Sequence, residues 1–162
     1  MSANDAGPLV ERVQNSYKRL SEAATKLNAA SDELGKFISA LDSAFKVLNL
    51  GVVAWVTFNG DTADNYDYWS HDVGYDKIDG KWGIAIRATS GNRNYDVDGT
   101  DVSWLFNDAP RTYRLQAIDY IPELIEKLVE AAATTTDKIN RKMVEAKQLA
   151  EALAPAPQPR RK

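Results

Sequence analysis

Residues 75–87, YDKIDGKWGIAIR, decide the fold, because two alternating runs meet there at Asp79-Gly80. An Asp-Gly pair favours the positive φ angles of a type I′ turn, which closes a two-residue β-hairpin. The turn sets the register, so one side of the hairpin is apolar and the other is charged. The facing pairs that this register predicts are Lys77 with Trp82, Tyr75 with Ile84, Val73 with Ile86, and Asp72 with Arg87.

Three strands are predicted around this turn, at residues 51–58, 66–78 and 81–89. The first, GVVAWVTF, is rich in β-branched and aromatic residues, which favour strands. A small sheet needs large side chains to form a core, so we expect Trp55 and Trp82 to be buried. Together the strands predict a small three-stranded antiparallel β head within residues 51–108.

A first helical arm is predicted over residues 8–49, where apolar positions recur with spacings that alternate between three and four. A sustained 3.5-residue repeat keeps one stripe facing a partner helix, as in a coiled coil. Pro8 suits a first turn, and Asn49 with Gly51 suits a helix end. The first seam consists of Val10, Val13, Tyr17, Leu20, Ala24, Leu27, Ser31, Leu34, Ile38, Leu41, Phe45 and Leu48.

A second helical arm is predicted over residues 109–153, with a seam of the same length. Pro122 removes a backbone donor, so it kinks this arm or starts a new helix after a short one. Equal seams predict that the two arms pair antiparallel, with Val10 near Leu153. The second seam consists of Leu115, Ile118, Pro122, Ile125, Val129, Ala132, Thr136, Ile139, Met143, Ala146, Ala150 and Leu153.

The sequence therefore predicts an α+β protein of α-β-β-β-α order, in which a long coiled-coil-like helical hairpin carries the β head. We expect residues 1–154 to form a single domain and the Pro-rich, basic residues 155–162 to form a disordered tail. In outline, a helix, a small β region and a second helix resemble the subunits of prefoldin, a holdase chaperone. The resemblance concerns architecture alone and implies no site residues.

Composition excludes several classes of protein. The 162 residues carry a net charge of −3 and contain no cysteine, so disulfides and thiolate metal sites are absent. Direct nucleic-acid binding is not favoured by this charge. The sequence has neither a signal-peptide pattern nor a stretch of about 18 apolar residues that would span a membrane. We expect a cytoplasmic protein.

Motifs for catalysis are missing, since no nucleophile elbow, phosphate-binding glycine loop or HExxH pattern occurs. We therefore expect no enzyme activity and no cofactor or metal. His71 is the single histidine, and we interpret it as a hydrogen-bonded structural residue. Residues 96–101, DVDGTD, lack the closing glutamate of a calcium loop; Asx turns and a helix cap explain them, although calcium binding stays open.

Two surface sites on the head are candidates. Residues 49–110 hold ten aspartates against four basic residues, together with all four tryptophans. Aromatic side chains rimmed by aspartates suit protein docking, because aromatic anchors carry much interface energy. The docking candidates are Tyr66, Asp67, Tyr68, Trp69 and Asp72, with Trp69 partly open, and the candidate anion contacts are Arg87, Arg93, Arg111 and Arg114. Pairing of Arg111 and Arg114 with nearby aspartates is the alternative to an anion site.

A further stripe of apolar residues lies beside the seams of both arms, at heptad spacing. Two helices alone cannot cover the seams and this stripe, so we expect a homodimer or a partner's helix in the groove. Its members are Ala23, Ala30 and Phe37 on the first arm and Leu128 and Leu149 on the second.

The preferred functional hypothesis is a non-catalytic protein-interaction or scaffold module built on the helical hairpin. The alternative is an inhibitor or decoy whose acidic head occupies a basic surface of another protein. A third hypothesis is a small-anion sensor that uses the arginines of the head.

Overall fold

The computed structural model describes residues 6–61, 67–92 and 99–154. The chain divides into two compact units, residues 1–48 and residues 49–162. Tyr66, Arg93, the predicted tail at 155–162 and residues 96–98 of the candidate calcium loop lie outside the described residues. Among the helices that are described, none has the length and apolar character to cross a membrane.

The protein mixes helices with one antiparallel sheet. The first unit is helix α1, and the second holds the sheet, which has the order β1-β2-β3-β4, and the remaining helices. Two short 3-10 turns, Phe106–Asp108 and Ile118–Tyr120, flank the second helix. The elements are α1 (Ala6–Leu48), β1 (Ala54–Asp61), β2 (Asp67–Ile78), β3 (Lys81–Asn92), β4 (Thr100–Leu105), α2 (Arg111–Ala117) and α3 (Ile121–Leu153).

The predicted three-stranded head is wrong, because the described sheet has four strands. The missed strand, β4, pairs antiparallel with β3 from Ser90↔Thr100 to Ala85↔Leu105. Thr100 and Asp101 belong to this strand, so the prediction that they form Asx turns and a helix cap is wrong. The order of the second unit is therefore four strands followed by helices.

The β2–β3 hairpin has the predicted register. Asp79 has a φ of 48° and Gly80 a φ of 82°, as a type I′ turn requires. All four predicted pairs are present, including Tyr75↔Ile84 and Asp72↔Arg87. The turn prediction is confirmed, and with it the assignment of side chains to the two faces.

The core of the second unit lies between the sheet and α3. The helix is buried at Ile121, Leu124 and Leu128, which recur at the spacing of one helical face. The sheet contributes alternate residues, since successive side chains of a strand point to opposite faces. Its buried apolar residues include Val56, Val73, Tyr75, Ile84 and Ile86. Leu128, predicted on an outward stripe, is therefore a core residue, and that prediction is wrong.

The two arms differ in continuity. Helix α1 runs for 43 residues without a break and ends before Asn49 and Gly51, which both have positive φ. The second arm consists of α2, a 3-10 turn and α3, with Pro122 in the first turn of α3. Of the two alternatives predicted for Pro122, a kink or the start of a new helix after a short one, the structure has the second. Proline fits a first turn because the N–H that it lacks has no partner there.

Many residues of the two predicted seams are exposed. On α1, Val10, Val13, Tyr17, Leu20 and Leu27 are half or more exposed. On α3, Val129, Ile139, Met143 and Leu153 are exposed to a similar or greater extent. These apolar side chains recur at the three- and four-residue spacing of the predicted seams, and half or more of each is exposed. Antiparallel pairing of the arms stays a prediction.

Replacing Gly80 with alanine should lower the free energy of unfolding by about 1 kcal/mol, because a Cβ disfavours the left-handed backbone. No heavy atom lies within 4 Å of the site of that Cβ, so the cost comes from the backbone and not from a clash. The midpoint of urea denaturation measures the loss. Gly7→Ala, in α1, is the control, because this glycine is equally open and lacks a positive φ. An unchanged midpoint for Gly80→Ala would contradict the assigned role of the turn.

Candidate functional site

A polar network crosses the face of the sheet opposite α3. Its centre is the carboxylate of Asp72, which is only 4% exposed. Thr57 Oγ1 donates a hydrogen bond of 2.6 Å to Oδ1, and Arg87 donates from Nε and Nη2 to Oδ2, each at 3.1 Å. Ser70 Oγ adds a longer bond of 3.3 Å to Oδ2. A buried carboxylate with a charged partner and hydroxyl donors is stabilised in its ionised form.

Trp55 completes this network from the edge strand. The Arg87 guanidinium carbon lies 4.2 Å from the centroid of the indole, within the range of a cation–π interaction. The indole also covers Gly74, where a Cβ would overlap its ring atoms. Trp55 is thus partly buried on the face opposite α3. The expectation that Trp55 is a buried core residue is wrong, because Trp55 alternates with the core residues Ala54 and Val56 and is only partly buried.

These contacts correct two sequence-based site assignments. Asp72 was expected on an accessible rim of aspartates, yet it is buried and bonded to Arg87. Arg87 was expected to contact an anion, yet two of its nitrogen atoms bond the Asp72 carboxylate. Arg111 and Arg114 lie on α2 and are partly buried. An anion site that the arginines share stays a prediction, with Arg87 already bonded to a carboxylate.

Asp72→Ala should destabilise the protein by about 2 kcal/mol, which is below the usual cost of breaking a buried pair because Arg87 retains contact with water. The side chain of Arg87 is 29% exposed. Thermal unfolding followed by circular dichroism measures the change. Asp67→Ala is the control, since Asp67 is an exposed aspartate of the same strand. Equal effects of the two substitutions would contradict a stabilising role for the network.

On the α3 side of the sheet, aromatic rings surround His71. Its ring centroid lies 4.2 Å from Tyr113, 5.1 Å from Trp69 and 6.0 Å from Phe58. Phe58 sits at a bulge in β1, between Thr57 and Asn59, and its ring also approaches Tyr120. The rings connect the sheet with α2 and with the turn after it. Trp69 is 37% exposed, so its aromatic surface remains open in part.

His71 is packed between these rings, but the hydrogen bond expected for it is not formed at Nδ1. This nitrogen is buried and has no hydrogen-bond partner among the described residues. Burial lowers the pKa of His71 below its usual value of 6.5, and the nearby Asp72 carboxylate opposes this shift in part. The neutral imidazole is therefore favoured in the folded state.

The lowered pKa predicts that acid weakens the fold. The unfolded chain takes up the proton at about pH 6.5, before folded His71 does. The contribution of neutral His71 is therefore complete above that pH, and it is lost as the pH falls toward the lower pKa of the folded state. Urea midpoints at pH 7.5 and pH 5.5 should show this loss for the wild type. The loss should be smaller for His71→Gln, which has no imidazole, and identical pH dependence would contradict the assignment.

The exposed half of α3 carries a shallow apolar depression of about 360 Å³. It is lined by Thr135, Lys138, Ile139, Lys142, Met143 and Ala146. Three of these residues belong to the predicted second seam. A depression of this kind is the shape that receives a side chain from another helix. Phe37 of α1 and Leu149 of α3, both predicted on the association stripe, are also exposed.

Comparisons with known proteins assign no family to this arrangement. No protein-family model matches the chain, and no match was found among curated proteins or solved structures. The outline resemblance to prefoldin subunits gains no support from them. Among the described residues, no group of three or more histidine, aspartate or glutamate side chains is arranged to hold a metal ion.

Proposed function

We propose that the protein is a non-catalytic interaction or scaffold module that self-associates through the seam of α1. The observation that carries this proposal is the exposure of Val10, Val13, Tyr17, Leu20 and Leu27, which are half or more exposed along one helical stripe. A contiguous apolar stripe of this kind costs free energy in water and marks an interaction surface. Its 3.5-residue spacing is the pattern that a second helix covers.

A second copy of the chain suits this stripe because the flanking positions are uncharged. Coiled coils select partners through charges beside the seam, and like charges repel. On this part of α1 the flanking residues are small or polar, so two identical helices meet without such repulsion. These residues are Gln14, Ser16, Ser21, Ala23, Asn28 and Ala30. Ala23 and Ala30 also permit a close approach of two helices.

Burial of these side chains in the described structure does not explain the apolar stripe of α1. Tyr17 and Leu20 are 71% and 64% exposed, so neither side chain contributes much buried surface in the described structure. Burial of a leucine of this kind contributes about 1.5–3 kcal/mol. Several such side chains in register therefore provide a substantial driving force for association.

Leu20→Glu should abolish self-association while leaving the helix content unchanged. A carboxylate buried in an apolar seam without a partner is unfavourable, whereas an exposed glutamate suits a helix. Sedimentation equilibrium at micromolar concentrations measures the mass, and circular dichroism measures the helix content. Asn15→Glu is the matched control, because it places the same charge on the opposite side of α1. A wild-type monomer at every concentration would contradict the proposal.

The alternative function, an acidic inhibitor or decoy, is supported by the head. Of the described aspartates in residues 49–110, only Asp72 is buried. A partner held by these charges should dissociate at moderate salt, since surface charges are screened over about 8 Å at physiological ionic strength. An apolar seam keeps its partner under the same conditions. The third hypothesis, an anion sensor, is weakened by the bonding of Arg87 to Asp72.

A further inference from the structure

The outer edge of β1 has no neighbouring strand in the described sheet. In the described sheet β1 pairs only with β2, and its other edge has no strand beside it. The extended chain begins before the strand, because burial alternates from Val52 through Val56. No backbone hydrogen bond is formed by residues 51–53 within the described parts of the chain. Gly51 has a positive φ and is not extended, so residues 52–57 are the part of the chain whose edge away from β2 offers amide and carbonyl groups with no strand beside them in the described sheet.

This edge lacks the devices that normally block strand addition. Proteins protect edges with proline, with charged side chains or with bulges. Residues 51–58 contain neither a proline nor a charge. A bulge occurs only after Thr57. The extended segment before the bulge, residues 52–57, is about 20 Å long at ~3.3 Å per residue, which accommodates an added strand of about six residues.

A groove of about 530 Å³ runs beside the edge. One wall is residues 51–55, and the other is a face of α3. Ala131, Thr134, Thr135 and Lys138 recur on that face at spacings of three and four, so they point the same way. Side chains of a chain added to β1 alternate, and every second one would enter this groove.

Of the two lysines that line the groove, Lys138 alone lacks an ionic partner among the described residues. Lys127 is paired with Glu130 at 3.2 Å. Lys138 makes no ion pair or side-chain hydrogen bond with any residue that the structure describes. The hydroxyl groups of Thr134 and Thr135 lie one helical turn before it. An ammonium group with two neighbouring hydroxyls complements a carboxylate.

We infer that this groove binds an extended peptide as a fifth strand beside β1, and that a carboxylate on the peptide pairs with Lys138. The strand edge selects the class of ligand, because its alternating donors and acceptors match another extended backbone. A nucleic-acid backbone offers only phosphate acceptors and leaves the carbonyl groups of β1 unpaired. The residues that line the groove belong to the second unit, so the inference does not rest on the proposed self-association of α1.

The first test selects ligands for the full-length protein from a displayed library of random octapeptides. Enriched peptides should alternate β-branched residues and contain an aspartate or glutamate. N-methylation of alternate amides in the best peptide should weaken binding at least about tenfold, because strand pairing then loses its donors. Amidating the peptide's C-terminus should leave binding unchanged if the carboxylate is a side chain, and should weaken binding if it is the terminus. Failure to enrich any peptide overturns the inference.

The second test maps the site with variants, using fluorescence anisotropy of the labelled peptide. Val53→Pro should abolish binding, since proline removes a donor from the edge yet fits extended backbone that forms no hydrogen bond there. Val53→Thr retains the donor and is its control. Lys138→Glu should weaken binding at least about tenfold, as loss of a charged hydrogen bond does. Lys147→Glu reverses an exposed charge on α3 outside the groove and should have no effect.

Combined variants distinguish peptide binding at the edge of β1 from self-association through the seam of α1. Leu20→Glu should bind the peptide as the wild type does, even where it fails to self-associate. Peptide binding that persists in Val53→Pro places the ligand elsewhere and overturns the inference. Self-association that survives Leu20→Glu but is lost on adding Val53→Pro would identify a second copy as the occupant of the edge, and this too would overturn it.

Discussion

The register of the β2–β3 hairpin is the constraint on which the second unit depends. Side chains alternate between the two faces of a strand, so a slip of one residue exchanges the faces completely. Such a slip would turn Val73 and Ile86 away from α3 and place Asp72 beneath it. The positive φ angles at Asp79 and Gly80 select the turn that prevents this. A two-residue turn thus determines which face holds the core and which face holds the polar network.

The polar network on the opposite face of the sheet stabilises the same strand register. Asp72 accepts bonds from Thr57 on β1 and from Arg87 on β3, so one carboxylate connects three strands. A buried ion pair often contributes little net stability compared with an apolar pair, because both charges lose hydration. The larger effect of the ion pair is to disfavour other strand registers, since each of them leaves a buried charge without its partner. Gly74 adds a steric condition, because only a residue without a Cβ permits Trp55 to lie over the strand.

Local signals made much of this fold predictable. The Asp79-Gly80 turn, the uninterrupted seam of α1 and the start of α3 at Pro122 each depend on residues that are close in sequence. The network of Asp72 was only half predicted, because the register between β1 and β2 follows a long connection and includes a bulge. The alternation of side chains along β1 puts Trp55 and Thr57 on the face opposite Ala54 and Val56. Alternation does not show which residues of β2 lie beside them. The strand β4 was missed, although Val102 and Trp104 alternate, because aspartates precede them and disfavour a strand.

The seam of α1 and the edge of β1 would bind a partner through different physical interactions. They therefore suit different kinds of partner. The seam of α1 is apolar, so its attraction is proportional to buried area and tolerates many helices of suitable spacing. The edge of β1 offers directional hydrogen bonds, which demand an extended backbone but accept many side chains. Specificity at the edge must therefore come from the groove, where Lys138 supplies a charge. Since α1 and the sheet belong to separate compact units, a helix covering the seam and a strand added to β1 satisfy different groups. The proposed self-association and the inferred peptide binding therefore use different groups of the chain.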